Sequence, residues 1–209
     1  MSESLSGDAT MQLPEFDAPP PRPLPLFGDW MARAEERQVR EPRAGVLSTV
    51  SSAGRPSSRV LLMKSIDERG LLFTTSSTSR KGRELEENPV ASLNFYWREL
   101  LQQVEVSGRV EMLSPEDADV LFDERPPAAR ATTIASVQSA QLESMEGLRR
   151  HAAELLEDTS LLIRPKSWSA YRLVPDIFEF WYGSPDRLHR RIRYDESKDG
   201  TWISKLLQP

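Results

Sequence analysis

Two adjacent cations, Arg80 and Lys81, open the segment "TSRKGRELEENP". Ser77, Thr78 and Ser79 are candidate N-caps and Asn88-Pro89 is a stop, so residues 80–87 are predicted to form a short helix. Its charges are reversed. Arg80, Lys81 and Arg83 occupy the first turn, where the helix dipole favours anions, while Glu84, Glu86 and Glu87 crowd the other end. The pairs Arg80/Glu84 and Arg83/Glu87 run base before acid, the weaker orientation. A phosphate at this helix start would receive backbone N–H groups, the dipole and two side-chain cations together. The same pattern also fits a solvated surface helix, which tolerates misplaced charges at about 0.3–1 kcal/mol each.

Two further basic groups could share such a site. In "SSRVLLMKS", Arg59 and Lys64 sit at the ends of one predicted strand. Their odd separation points them to opposite faces unless a bulge intervenes; otherwise they are solvated strand-end charges. In "DRLHRR", Arg187, His189 and Arg191 alternate with Leu188 and Arg190, so a strand would project all three to one face. That face suits an anionic planar ligand, although a basic edge strand that blocks aggregation has the same pattern. Trp181, just upstream, reads more readily as core than as a ring partner.

The composition narrows the chemistry. There is no cysteine, which removes disulfides, thiolate catalysis, iron–sulfur clusters and zinc fingers. The two histidines, His151 and His189, form no HxxxH or HExxH pattern, so a histidine-rich metal site is not expected. No Walker A or GxGxxG pattern appears, and any enzyme here is expected to use a bound organic cofactor. A formal net charge of -5 argues against a general nucleic-acid or membrane-surface binder. No run has the length of a transmembrane helix, and the acidic N-terminus has no signal-peptide core; the cytoplasm is the expected compartment.

The elements that must position these residues follow from the pattern. Residues 1–23 are proline-rich and are expected to be a flexible arm, with a single domain over 24–209. Leu26, Phe27, Trp30, Met31, Ala34 and Val39 mark an amphipathic helix over 24–40. Strands are predicted at 44–51, 57–65, 71–75, 90–97 and 101–113, with turns at Ala53-Gly54 and Arg69-Gly70. Ser114-Pro115 starts a helix that ends near Glu124, and another helix lies near 144–157. The chain closes with strands at 169–174, 176–182, 188–194 and 201–206. Short strands without a βαβ rhythm predict a mainly β (α+β) fold, an antiparallel barrel with peripheral helices.

"RVLLMK", "TSRKGRELEENP", "LQQVEVSGRVE", "SVQS", "FEFW" and "DRLHRR", in this order, resemble the pyridoxine/pyridoxamine 5'-phosphate oxidase family over nearly everything after the arm. The resemblance implies a split-barrel homodimer with FMN between its subunits. It implies FMN contacts from Arg59, Val60, Leu61, Leu62, Met63, Lys64, Thr74, Thr75, Arg80, Lys81, Gln103, Gln138, Ser139, Trp181 and Arg191. Arg80 and Lys81 would then clamp the FMN phosphate, and the reversed helix would be explained.

The departures concern the substrate. Where the vitamin-making oxidases hold the substrate phosphate with lysine, tyrosine, arginine and serine, this chain has Lys64, Leu121, Arg125 and Ala129. Two lost hydroxyls, at about 1.5–3 kcal/mol each, would weaken phosphate binding by roughly a hundred- to ten-thousand-fold. Two cations, Arg187 with His189, and a more apolar wall suit a larger ring bearing carboxylates. "PEFDAPPPRPLPLFGDW", "VREPRA", "YWRELLQQ" and "KLLQP" are similar to the branch of the family that oxidises reduced phenazine carboxylic acids. The resemblance implies hydride transfer from the reduced tricycle to the flavin, dioxygen as final acceptor and hydrogen peroxide as product. Arg187 and His189 would orient the substrate, with His189 able to take a proton. The vitamin B6 oxidase and a non-catalytic flavin-binding protein remain alternatives.

Overall fold

A computed structural model of the chain describes residues 10–209. Helix α1 spans Pro23–Glu36 and lays Phe27 and Trp30, both fully buried, into the barrel interior. Strands β1 (Ala44–Val50), β2 (Pro56–Asp67) and β3 (Gly70–Ser76) form the expected meander. Helix α2 (Arg80–Glu87) follows, then β4 (Val90–Trp97) and β5 (Gln102–Met112). Three helices, α3 (Pro115–Asp123), α4 (Pro127–Ala135) and α5 (Met145–Glu157), lead to β6 (Trp168–Tyr182), β7 (Arg190–Glu196) and β8 (Trp202–Leu207). The antiparallel order β3-β2-β1-β4-β5-β6 closes into a barrel because β3 also pairs with β6, and β7 and β8 continue the sheet beyond it. Phe73, Phe95, Phe178, Phe180 and Leu93, none with measurable exposure, fill the interior. This is the expected antiparallel split barrel with peripheral helices. Among the described residues, no helix is long and apolar enough to cross a membrane.

Four features depart from the sequence reading. Pro175 suggested two strands, yet β6 runs unbroken through it. Gly108 pairs with Pro175 and Ser107 with Ile177, so the register shifts there and leaves Asp176 as the extra residue of a bulge. A proline without an N–H is tolerated at that point, and β6 changes partner around it, from β3 at Trp168–Leu173 to β7 at Ile177–Tyr182. Helix α4 has no counterpart among the expected elements; Pro127 sits in its first turn, where the missing N–H costs nothing.

The third departure is the arm. Its residues 1–9 lie outside the described residues, but Leu13 and Phe16 are each only 3% exposed and join the core. Between them the buried Glu15 carboxylate accepts a hydrogen bond from Trp30 Nε1 at 2.5 Å. Burial of two large apolar side chains, at about 1.5–3 kcal/mol each, helps to offset the ordering of a segment whose prolines have less chain entropy to lose. The fourth is the strand expected at 188–194, which begins only at Arg190.

Gly108 also permits the bulge, since a Cβ there would lie 2.1 Å from the Val174 carbonyl oxygen. Gly108→Ala is expected to cost about 1–3 kcal/mol and lower the thermal midpoint by roughly 2–10 °C in a circular-dichroism melt. An unchanged midpoint would show that the crossing has slack.

Candidate functional site

Helix α2 starts at Ser79, whose Oγ accepts the Gly82 N–H at 3.2 Å, so of the three candidate caps Ser79 is used. The ammonium of Lys81 is folded back under this first turn, 8% exposed, with Ser79 Oγ at 3.4 Å as its hydrogen-bond partner. No carboxylate pairs with Lys81 among the described residues. Burial, helped by the nearby Arg59 guanidinium, pushes its pKa down to about 8. With that pKa the group is still mostly an ammonium at neutral pH.

Arg59 and Arg80 are held differently, by a residue that sequence reading did not select. Glu84, one turn along α2 and 6% exposed at its side chain, receives Arg80 Nε at 2.9 Å and Arg59 Nη2 at 3.4 Å. Thr49 and Ser57 each donate a hydroxyl at 2.5 Å to the oxygen that also receives Arg59, Oε2, while Arg80 takes Oε1. Burial acts to raise the Glu84 pKa, but the hydrogen bonds from Ser57, Thr49 and Arg80 outweigh it and hold the carboxyl down at about 2. Arg59 in turn donates to Thr49 Oγ1 at 2.6 Å and to Ser57 Oγ at 2.5 Å. The base-before-acid spacing of Arg80 and Glu84 was the signal: that acid belongs to the site.

The bulge needed to bring Lys64 toward this cluster is present. Met63 pairs with Phe73 and Ser65 with Leu72, so Lys64 is the extra residue. Burial first, then the Arg125 charge, lowers the Lys64 pKa. Arg125 lies over the Phe122 and Trp168 rings at 5.8 and 5.3 Å and donates to Thr133 Oγ1 at 2.7 Å. Thr133, on the unforeseen α4, also donates to the carbonyl of Ala129 at 2.9 Å. Leu121 packs against the Phe122 and Trp168 cluster. A cavity of about 360 Å³ opens here, lined by Thr74, Thr75, Arg125, Ile134, Gln138 and Trp168. Thr75 Oγ1 donates to Gln138 Oε1 at 3.1 Å, and Ser139 Oγ accepts the Arg80 N–H at 3.2 Å. A larger cavity, about 610 Å³ between Arg22, Arg69 and Trp202, is lined by none of these groups.

Along β2 the side chains alternate. Val60 and Leu62 face outward at 70% and 47% exposure, Leu61 is half-buried, and Met63 is sealed in the core at 1%. Met63 can meet a ligand only through its backbone.

The remaining expected residues form a second group. Gln103 pairs with Trp181 and Trp181 with Arg191, placing the three in one row across β5, β6 and β7. Glu179 binds Arg191 at 2.6 and 2.9 Å. Arg187 and His189 do not share a strand face with Arg191, contrary to the sequence reading. "GSPDR" interrupts the sheet, Leu188 N–H donates to Asp186 Oδ1 at 2.9 Å, and Arg187 adopts a left-handed φ of 66°. The turn instead returns His189 against Trp181, ring centroids 5.0 Å apart. His189 Nδ1 accepts the Ser184 N–H at 3.1 Å, which leaves Nε2 as the protonated, donating nitrogen of the neutral ring.

Thr75 is opposite Ser169 near the start of β6, and Trp181 lies near its end.

Comparison with known proteins adds to this geometry. The family model for pyridoxamine 5'-phosphate oxidase matches residues 31–157, and the model for the pyridoxine 5'-phosphate oxidase C-terminal dimerisation region matches 168–209. The chain is 48% identical over 208 residues to a dihydrophenazinedicarboxylate synthase of Burkholderia lata, covering 99% of this chain and 97% of that one. It is 43% identical over 193 residues to a pyridoxine/pyridoxamine 5'-phosphate oxidase of Paraburkholderia phymatum, with 90% of each chain covered. A crystal structure of PhzG from Burkholderia lata in complex with tetrahydrophenazine-1-carboxylic acid superposes with a TM-score of 0.93 at 46% identity, covering 97% of this chain and 100% of that one.

Glu84→Ala is expected to leave Arg59 and Arg80 without their carboxylate and to cost about 3–5 kcal/mol in urea unfolding at neutral pH. The folded pKa lies below the unfolded one, so the contribution of Glu84 is complete above about pH 4.5 and fades as the pH falls toward about 2. Glu84→Gln should therefore flatten the loss of stability across that window; equal slopes would remove the assigned role.

Proposed function

This chain belongs to the pyridoxamine 5'-phosphate oxidase family, and from that premise we propose that it is an FMN-dependent oxidase of reduced phenazine carboxylic acids, using dioxygen as electron acceptor. The observation that carries the cofactor is the buried Lys81 ammonium, without a carboxylate partner among the described residues, beside Arg80 at the start of α2. That donor set fits a phosphate dianion. Arg59, Thr74 and Thr75 would line the rest of the tail, and the backbone of Val60–Lys64 would flank the ring. When bound, FMN supplies hydride acceptance and returns the electrons to dioxygen as hydrogen peroxide.

We read the assembly as a homodimer with the cofactor between subunits, in which Gln103, Trp181 and Arg191, at the end of β6 remote from Thr75, would reach it from the partner. Val60, Leu62 and Val46 offer an exposed apolar face for such a contact, and the C-terminal match to a dimerisation region agrees with it.

The substrate reading rests on the pocket beside the flavin. Lys64 and Arg125 stand together without an ion-pair partner among the described residues, against a wall of Leu121, Phe122 and Trp168 and without a hydroxyl at positions 121 or 129. Two cations over aromatic and aliphatic walls suit a broad ring carrying carboxylates. His189, with Nε2 as donor, and Arg187 would orient the ring by hydrogen bonds to its acceptor atoms. In this state His189 is a donor rather than a base, and the gain of aromaticity drives the oxidation.

The retained Lys64 and Arg125 keep the vitamin B6 oxidase as the second reading. Anaerobic mixing of the flavin-loaded protein with a reduced phenazine carboxylate should bleach the flavin absorption within seconds, and readmitted air should restore it with release of hydrogen peroxide. Pyridoxine 5'-phosphate should bleach it on the order of a hundredfold more slowly. The reverse ranking would make the chain a vitamin oxidase, and no bleaching by either compound would make it a flavin-binding protein without this activity.

A further inference from the structure

The arm joins the fold where the expected substrate residues stand. Phe16 packs against Trp30 with ring centroids 6.1 Å apart and planes tilted by 52°, and Glu15 accepts the Nε1–H of the same tryptophan. From this anchored turn two groups reach β7. The Arg190 guanidinium lies 4.7 Å above the Phe16 ring, and Asp17 Oδ1 accepts its Nη2–H at 2.7 Å. Four residues on, the Tyr194 hydroxyl donates to the Pro20 carbonyl at 3.0 Å. The strap of residues 13–20 therefore grips the first half of β7.

Arg190 stands between His189 and Arg191. The three side chains take different directions: His189 to Trp181, Arg190 to the strap and Arg191 to Glu179. The loop before them is braced largely by bonds within itself, Ser184 N–H to His189 Nδ1, Arg187 N–H to Ser184 O and Leu188 N–H to Asp186. Its end is fixed where Arg190 is fixed. A cation held over a buried ring and closed by a carboxylate has few alternative rotamers.

We propose that Phe16 and Asp17 are positioning residues of the oxidase site: by fixing Arg190 they set the backbone that displays His189 and Arg191, and so set substrate affinity without touching substrate. This rests on the phenazine carboxylate oxidase reading given above. Phe16 supplies most of the hold, because its ring is 3% exposed, whereas Asp17 is an exposed partner.

The test uses the flavin-loaded full chain. Phe16→Leu combined with Asp17→Asn removes both grips and leaves Arg190 and the apolar filling in place. The KM for a reduced phenazine carboxylate should rise about five- to thirtyfold, the range that one cation–π contact and one exposed ion pair supply, while kcat stays within about twofold. Phe16→Tyr combined with Asp17→Glu, which keeps a ring and a carboxylate, should restore the KM. Asp17→Asn alone, too exposed to affect folding, should raise it about two- to threefold. Amide exchange across residues 184–190 should quicken in the double variant while that of β4 and β5 is unchanged. An unchanged KM with unchanged exchange overturns the proposal, as does a KM that rises only together with a collapse of the thermal midpoint. Should the wild type oxidise no reduced phenazine, the functional reading falls, and the exchange data alone still decide whether the strap fixes the loop.

Discussion

The buried carboxylate of Glu84 is the interaction on which the basic half of the site depends. It collects Thr49 and Ser57 from β1 and β2, Arg59 from β2 and Arg80 from its own helix, so one side chain ties α2 to the barrel wall and aims two guanidinium groups. A carboxylate this enclosed is stable only because every neighbour donates to it. The charge it neutralises is not the whole charge present. Among the described residues Lys81 stays beside the group with no carboxylate of its own. The reversed polarity of α2 is a local cost that a bound anion at the helix start would offset.

Strand β6 governs the other half. One long strand borders β3 at its beginning and β7 at its end, and the bulge at Pro175 lets it change partners without breaking. Thr75 and the Gln103, Trp181 and Arg191 row thus fall at opposite ends of one strand, an arrangement compatible with the proposed sharing of the cofactor between two protomers. The bulge at Lys64 does related work on β2, turning an out-of-phase lysine toward Arg125.

Much of this was legible in the sequence because the strongest signals were local. Ser79, Arg80 and Asn88-Pro89 fixed α2 at both ends, and alternation along residues 90–97 and 101–113 placed β4 and β5 closely. The odd separation of Arg59 and Lys64 on one strand pointed to a bulge should both line one site, and a bulge is observed at Lys64. What escaped was tertiary. Pro127 and Pro175 are prolines whose meaning depends on a neighbour: a missing N–H costs nothing in a first helical turn or opposite a bulge, and no window of sequence shows which applies. Leu13 and Phe16 read as stray apolar residues in a polar arm until Trp30 is in place to receive them. The strand face proposed for Arg187, His189 and Arg191 failed because the turn chemistry of Ser184, Pro185 and Asp186 acts before the alternation can begin. Glu84 was visible as a misplaced charge, but its partners on β1 and β2 were not.

The central claim is that a phosphate tail is what this protein grips, with Arg80 and Lys81 as the hand. The most direct measurement is a calorimetric comparison of FMN and riboflavin, which share the ring and the ribityl chain and differ only in that phosphate. FMN should bind at least about a hundredfold more tightly, as expected when two or more charge-assisted hydrogen bonds depend on one group. Equal affinity for the two flavins would contradict the account.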